Sequence, residues 1–173
     1  MLSRVHGGLP VGLYIGLTGV RLGAADCIES GLATHYIPQA QLGRLHEGLV
    51  DLGVNAADES KVEALLESLR GGEEPPTEKA LLQANADAIQ RCFSAATAEE
   101  IFANLEAEAG EWAADTLATL KRMSPLSIKL TIEACVRHSA ESCSISDALS
   151  MEYRLSQRCM RPQPQSDFYE GIR

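Results

Sequence analysis

The chain has 173 residues, 45% of them hydrophobic and 23% charged, and its 15 lysines and arginines against 24 aspartates and glutamates give a formal charge of −9. That length suits one ordinary domain able to bury roughly 70% of its unfolded surface, with the composition of a globular fold. No apolar run approaches the roughly 18 residues of a membrane span, the first ten residues lack the apolar stretch of a signal peptide, and the acidic balance argues against a general nucleic-acid binder. The charge is uneven: residues 1–119 carry 7 basic and 18 acidic side chains, whereas residues 120–173 carry 8 and 6. The last third is therefore the stretch best suited to tolerate an anion.

In chain order, Val11 to Gly19 (VGLYIGLTG) is apolar, with glycines at 12, 16 and 19. This is not a phosphate loop; the spacing of four and three gathers small residues on one helical face, which favours close helix packing. Ala24 to Ser30 reads as a short helix stopped by Gly31 where a left-handed cap is wanted. Leu32 to Ile37 (LATHYI) is the best strand in the sequence, ended by Pro38. Everything after it reads as helix, so the strand has no evident partner. Either something outside the chain completes its ladder or it is not a regular strand.

Amphipathic helices follow. Val62, Leu65, Leu66 and Leu69 fall at i, i+3, i+4 and i+7, and Gly71-Gly72 ends that helix before a polar connection over 73–76. Leu82, Ala86, Ile89 and Phe93 form the next stripe. Thr97 to Glu100 matches a capping box ahead of Ile101, Phe102 and Leu105. Trp112 opens a helix through Leu117 and Leu120. Ser124-Pro125 caps and starts another through Ile128, Ile132 and Val136. The last long helix carries Ile145, Leu149, Tyr153, Ser156 and Met160, and Arg161-Pro162 with Pro164 breaks it before a short helix over 167–173. Residues 40–160 should be nearly all helix.

Residues able to do chemistry are sparse. Glu99 and Glu100 are adjacent, point to different azimuths and read as first-turn charges favoured by the helix dipole. His6-Gly7-Gly8 could offer backbone N–H groups to an oxyanion, but no GxSxG accompanies it and a plain turn is the simpler reading. His35 reads as structural. Cys135 and Cys143 lack a well-placed histidine, His138 standing at i+3 from Cys135. Glu152 is expected to pair with Arg154 or Arg158. Lys121-Arg122, Lys129 and Arg137 are the best phosphate candidates. The five cysteines, Cys27, Cys92, Cys135, Cys143 and Cys159, are odd in number without a CxxC pair, which suits a reducing compartment. His6, His35, His46 and His138 are too scattered to suggest a zinc site, so no metal site is expected.

The motifs carry a resemblance. LSR at 2–4 and GLTGVRLGAADCIESGLATHYIP at 16–38 resemble the middle of the crotonase (enoyl-CoA hydratase/isomerase) superfamily, with its pattern of a helix, TG-x-R-L, a helix, and GL entering a short strand. CFSAATAEEIFANLE at 92–106, MSPLSIKLT at 123–131, MEYRLSQRCM at 151–160 and DFYEGIR at 167–173 resemble its 3-hydroxyisobutyryl-CoA hydrolase branch. The stretch from His6 to Val11 is about two residues longer than the family pattern. The resemblance implies a mainly α chain: the C-terminal helical part of an α/β crotonase-type spiral fold, with one short strand near 32–37. Residues 1–38 would be the end of the core and 39–173 the helical region.

The resemblance also implies that the oxyanion-hole amides and the catalytic Glu and Asp lie on a core upstream of Met1, so no catalytic residue is carried onto this chain and its cofactor-binding residues are unknown. The implied reaction is hydrolysis of an acyl-CoA thioester without a further cofactor, coenzyme A being part of the substrate, in valine breakdown. Expected partners are that substrate in the complete enzyme and a second copy or a core-bearing paralogue; neither nucleic acid nor a membrane is expected. The implied location is the mitochondrial matrix in a eukaryote or the cytoplasm in a bacterium. An enoyl-CoA hydratase-type member and a non-catalytic helical interaction module are the alternatives. Apolar surface is expected to be exposed around Leu32 to Ile37, where the core would lie.

Overall fold

The apolar glycine-bearing segment forms α1 (Gly8–Thr18) in a computed structural model that describes residues 2–70, 75, 76, 80–160, 166 and 168. Nine more helices follow among the described residues: α2 (Ala24–Glu29), α3 (Leu42–Leu52), α4 (Glu59–Arg70), α5 (Leu81–Ala84), α6 (Ala86–Phe93), α7 (Ala98–Ala107), α8 (Glu111–Leu120), α9 (Pro125–Ser139) and α10 (Ile145–Cys159). The chain divides into two units, one of Met1–Arg21 with Ala84–Arg173 and one of Leu22–Gln83. Residues 40–160 are helical nearly throughout where described, as the periodicity predicts.

In the first unit α1 is apolar around its whole circumference rather than on one stripe, the pattern of a helix surrounded by protein. It packs against the 3-10 turn Leu2–Arg4 and against α6, α8 and α9. The small-residue face is used as expected. A Cβ on Gly12 would run into the Leu2 carbonyl, and one on Gly16 would reach 3.4 Å from both Leu2 Cδ1 and Thr131 Cγ2. Arg4 then donates to the carbonyls of Cys143 (3.0 Å) and Ala140 (3.4 Å), tying the turn to the end of α9. At the other end Thr18 Oγ1 donates to the Tyr14 carbonyl and accepts from Val20 N–H, while Gly19 takes the left-handed φ of 62° and donates to Ile15. Thr-Gly is thus the stop signal of α1.

Around α1 the core is Leu13, Ile89, Cys92, Phe93, Ile101, Leu105 and Leu120. Tyr14 meets Phe93 edge-on and Trp112 tilted, both with centroids 5.5 Å apart, and Trp112 Nε1 donates to the Tyr14 hydroxyl at 3.2 Å. Each such ring pair adds about 0.5–1.5 kcal/mol beyond its buried area. Thr97 and Glu100 form the predicted capping box, and Ser124 Oγ accepts from Ser127 N–H with Pro125 in the first turn of α9. The apolar stripe of α9 runs through Ile128, Ile132 and Cys135 rather than to Val136, which is exposed. The stripe predicted on α10 points outward: Ile145 is 80% exposed, Leu149 61% and Tyr153 66%, and α10 contributes no buried residue. A second capping box, between Ser144 and Asp147, starts this helix.

The second unit is organised around Asp26, which is fully buried near the start of α2. One carboxylate oxygen accepts from Leu82 N–H at 2.9 Å and the other from Gly23 N–H at 3.3 Å, joining segments 56 residues apart. Such a buried carboxylate persists because donors replace the lost water. As predicted, α2 ends at Ser30 with Gly31 at φ 68°. The α4 stripe through Leu65 and Leu69 turns inward as α4 packs against α3.

The strand predicted over 32–37 is not formed. Residues 33 and 35–37 carry no regular structure, Ala33 N–H bonds the Cys27 carbonyl, and the described residues contain no strand that could supply a ladder. Leu32, Tyr36 and Ile37 are half-buried; exposed apolar side chains lie instead on or beside α3 (Leu42, Val50, Val54), on or beside α9 (Met123, Leu126, Val136) and on α10. Residues 71–74, 77–79 and those from 161 onward except Ser166 and Phe168 lie outside the described residues, and with them the predicted glycine stop, the proline break and most of the terminal helix.

Gly12→Ala should lower unfolding stability by about 1–3 kcal/mol because backbone rather than a flexible side chain must give way. Gly43→Ala, in α3 with open space around it, should raise stability by up to about 1 kcal/mol; urea titrations followed by circular dichroism compare the two. Hydrogen bonds from the Ser144 hydroxyl and N–H hold the Asp147 carboxyl below its usual range. A folded-state value below the unfolded one means the cap contributes above the unfolded value and is lost as pH falls through the folded one. Ser144→Ala should therefore move the Asp147 titration upward, read from its side-chain carboxyl resonance.

Candidate functional site

A concavity of the first unit lies where α7, α8 and α9 meet. It has a volume of about 480 Å³ and an apolar lining that includes Phe102, Leu120, Met123 and Ile128. Its charges are arranged in pairs at the rim. Lys129 Nζ donates to Glu99 at 2.6 Å and Lys121 Nζ to Glu106 at 3.1 Å. The Lys129 hydrogen bond is the main reason the Glu99 carboxyl titrates below its usual range, helped by a backbone hydrogen bond. Two of the lysines expected to attract phosphate are thus already neutralised by local partners. Arg137 is likewise paired with Glu133 one turn earlier, at 2.7 Å, and Arg122 stands exposed on the turn after α8.

This groove can hold an apolar group, but it offers no nucleophile and no unpaired acid or base on its lining. The adjacent glutamates diverge as expected: Glu99 turns to Lys129, while Glu100 Oε2 accepts the N–H groups of Ala96 and Thr97. They form no catalytic pair.

The remaining candidates resolve as structural. In His6-Gly7-Gly8 the Gly8 N–H is bonded to the Val5 carbonyl and the Gly7 carbonyl accepts from Gln90, so the glycines form the turn into α1 and not an oxyanion hole. Burial pushes the Cys135 thiol up, opposite to what a nucleophile needs, and Cys92 is raised for the same reason. His138, three residues beyond Cys135, has a buried Nε2 without a hydrogen-bond partner among the described residues. Cys143 is half-buried beside its own α10 cap. Glu152 is exposed and makes no ion pair with Arg154 or Arg158, so that expected contact is absent among the described residues.

One cluster escaped sequence reasoning. In the second unit His35 Nε2 lies 3.0 Å from Glu63 Oε1, and Glu67 joins them so that one ligand-type atom of each falls within 4.8 Å of the others. The i, i+4 spacing of Glu63 and Glu67 on α4 was visible in the sequence; the arrival of a residue 28 positions upstream was not.

Comparison with known proteins supplies what these groups do not. The Enoyl-CoA hydratase/isomerase family profile matches residues 1–173. The human mitochondrial 3-hydroxyisobutyryl-CoA hydrolase is 35% identical over 99% of this chain and 42% of its own length. Those of Danio rerio and Xenopus laevis are 39% and 38% identical, again over 99% of this chain and 43% of theirs. The crystal structure of a carnitinyl-CoA dehydratase from Mycobacterium thermoresistibile superposes with a TM-score of 0.74 at 30% identity, covering 90% of this chain and 42% of that one. The chain thus spans about two fifths of the length of the relatives it matches. The helical arrangement fits the C-terminal part of a crotonase-type fold. The chain belongs to the enoyl-CoA hydratase/isomerase family.

Proposed function

We propose that this chain is the helical portion of an acyl-CoA thioester hydrolase acting on 3-hydroxyisobutyryl-CoA. The observation that carries this reading is the alignment of curated hydrolases over 99% of the chain at 34–39% identity. In the proposed reaction, water adds to the thioester carbonyl carbon, the C–S bond breaks, and 3-hydroxyisobutyrate and coenzyme A leave. Backbone N–H groups polarising the carbonyl and a carboxylate directing the water are what such chemistry requires. The Gly7-Gly8 turn, the diverging Glu99 and Glu100, and the raised thiols of Cys92 and Cys135 supply none of these. The catalytic groups are therefore proposed to lie on the other part of the whole enzyme, the core whose end is residues 1–38, with 39–173 as the helical region. No metal or redox cofactor takes part, and coenzyme A enters as part of the substrate.

The proposed setting is valine degradation in the mitochondrion, supported by the mitochondrial relatives. Partnership with a second copy, or with a core-bearing chain of the same family, fits the outward apolar stripe of α10. Two measurements test this function. The purified 173-residue chain should release no free thiol from 3-hydroxyisobutyryl-CoA, and release above the buffer rate would show that its own residues catalyse. A chimera in which the chain replaces the matching portion of the human relative should hydrolyse that substrate within about tenfold of the parent, a span of 1.4 kcal/mol in transition-state stabilisation. A soluble, folded chimera active only on an enoyl-CoA would favour a hydratase assignment instead.

A further inference from the structure

We propose that His35, Glu63 and Glu67 form a binding site for a divalent first-row transition ion, with Zn²⁺ the best match. The donor set is one imidazole nitrogen and two carboxylate oxygens, a combination that suits zinc and its neighbours better than calcium or magnesium, which favour all-oxygen shells. Three protein ligands leave a fourth position to water.

The geometry needs little adjustment. The three ligand atoms lie within 4.8 Å of one another. Two ligands at about 2.1 Å from one ion are at most ~4.2 Å apart, and about 3.4 Å apart in a tetrahedron. Closing that gap falls to the carboxylates, and the Glu63 side chain is 54% exposed and can move through its own rotamers. Glu63 and Glu67 stand one turn apart on α4, so both reach the same side of the helix. His35 approaches from the extended segment before Pro38 and is the least exposed of the three, its side chain at 25%.

The imidazole is also oriented. Thr34 Oγ1 lies 2.9 Å from Nδ1, and Nε2 faces Glu63. With Nδ1–H donated to the threonine, Nε2 presents a lone pair to a carboxylate 3.0 Å away. In the other neutral tautomer Nε2–H donates to Glu63 and the Thr34 hydroxyl donates to Nδ1; a metal ion taking the place of the Nε2 proton selects the first. A hydrogen bond fixing the far ring nitrogen is the usual support of a metal-bound histidine. Among the described residues a competing positive charge is Arg70, whose Nη1 lies 3.6 Å from Glu67, a separation too long for a strong charge-assisted hydrogen bond. A bound ion would clip the extended segment to α4 across 28 residues of chain, all within one unit. No part of this site overlaps the groove between α7, α8 and α9, so the inference stands independently of the proposed reaction.

The test uses the full 173-residue chain with its accessible thiols alkylated, since cysteine would otherwise capture zinc. Addition of Zn²⁺ should shift the ¹⁵N resonance of His35 Nε2 while the rings of His6, His46 and His138 stay unmoved. Calorimetry should give one equivalent bound, weakened at least tenfold in His35→Ala and in the double variant Glu63→Gln/Glu67→Gln, with helix content checked by circular dichroism. An unmoved His35 ring at about 1 mM Zn²⁺, the weakest range of meaningful affinity, would overturn the proposal without recourse to any variant. So would Ca²⁺ binding as tightly as Zn²⁺ with no change at His35, which would show a diffuse acidic surface.

Discussion

The Leu2 carbonyl occupies the space that a side chain on residue 12 would need, and the first unit is arranged around that contact. Because residue 12 is glycine, the Leu2–Arg4 turn can lie directly on α1. Leu2 then reaches Gly16, where Thr131 of α9 also arrives, and Arg4 is delivered to the carbonyls that close α9. One missing Cβ thus brings the turn and the helix that follows it together with the end of α9, 136 residues beyond Arg4. The opposite side of α1 carries Tyr14 into the aromatic contacts with Phe93 and Trp112. A buried helix of this kind gains from packing on several sides at once, and is sensitive to added volume on each.

Features set by neighbours in sequence were legible before any coordinates. The Thr97–Glu100 box, the Ser124-Pro125 start and the Gly31 stop are local hydrogen-bond and φ requirements, so residue identity and spacing suffice to read them. The Ser144–Asp147 box is equally local, a Ser-x-x-Asp spacing directly ahead of the α10 stripe. The glycine spacing on α1 foretold close packing, although not that backbone rather than a helix would be the visitor at Gly12.

Features set by distant partners were not legible. Periodicity identifies an apolar face but not what lies across from it, which is why the α10 stripe is outward while an equally regular stripe on α9 is buried. LATHYI has strand-forming residues without a ladder, and propensity does not supply one. Asp26 gave no hint of full burial, because its second donor, Leu82, lies 56 residues away. The candidate site divides in the same way. The diverging roles of Glu99 and Glu100 followed from adjacency, whereas the neutralisation of Lys121 and Lys129 depended on α7 lying beside α8 and α9. The family motifs that pointed to acyl-CoA chemistry here serve structure: Leu2–Arg4 and Thr18-Gly19 hold and stop α1, and Asp26 anchors α2.

The chain has a single tryptophan, and its indole is tilted against Tyr14 and donates to that phenol in the first unit. The second unit, Leu22–Gln83, has none. Intrinsic fluorescence excited at the indole therefore reports the aromatic contact on α1 and is blind to α2, α3 and α4, whereas backbone ellipticity reports helices of both units. A denaturation followed by the two signals together measures whether the halves unfold as one cooperative body, with no label introduced.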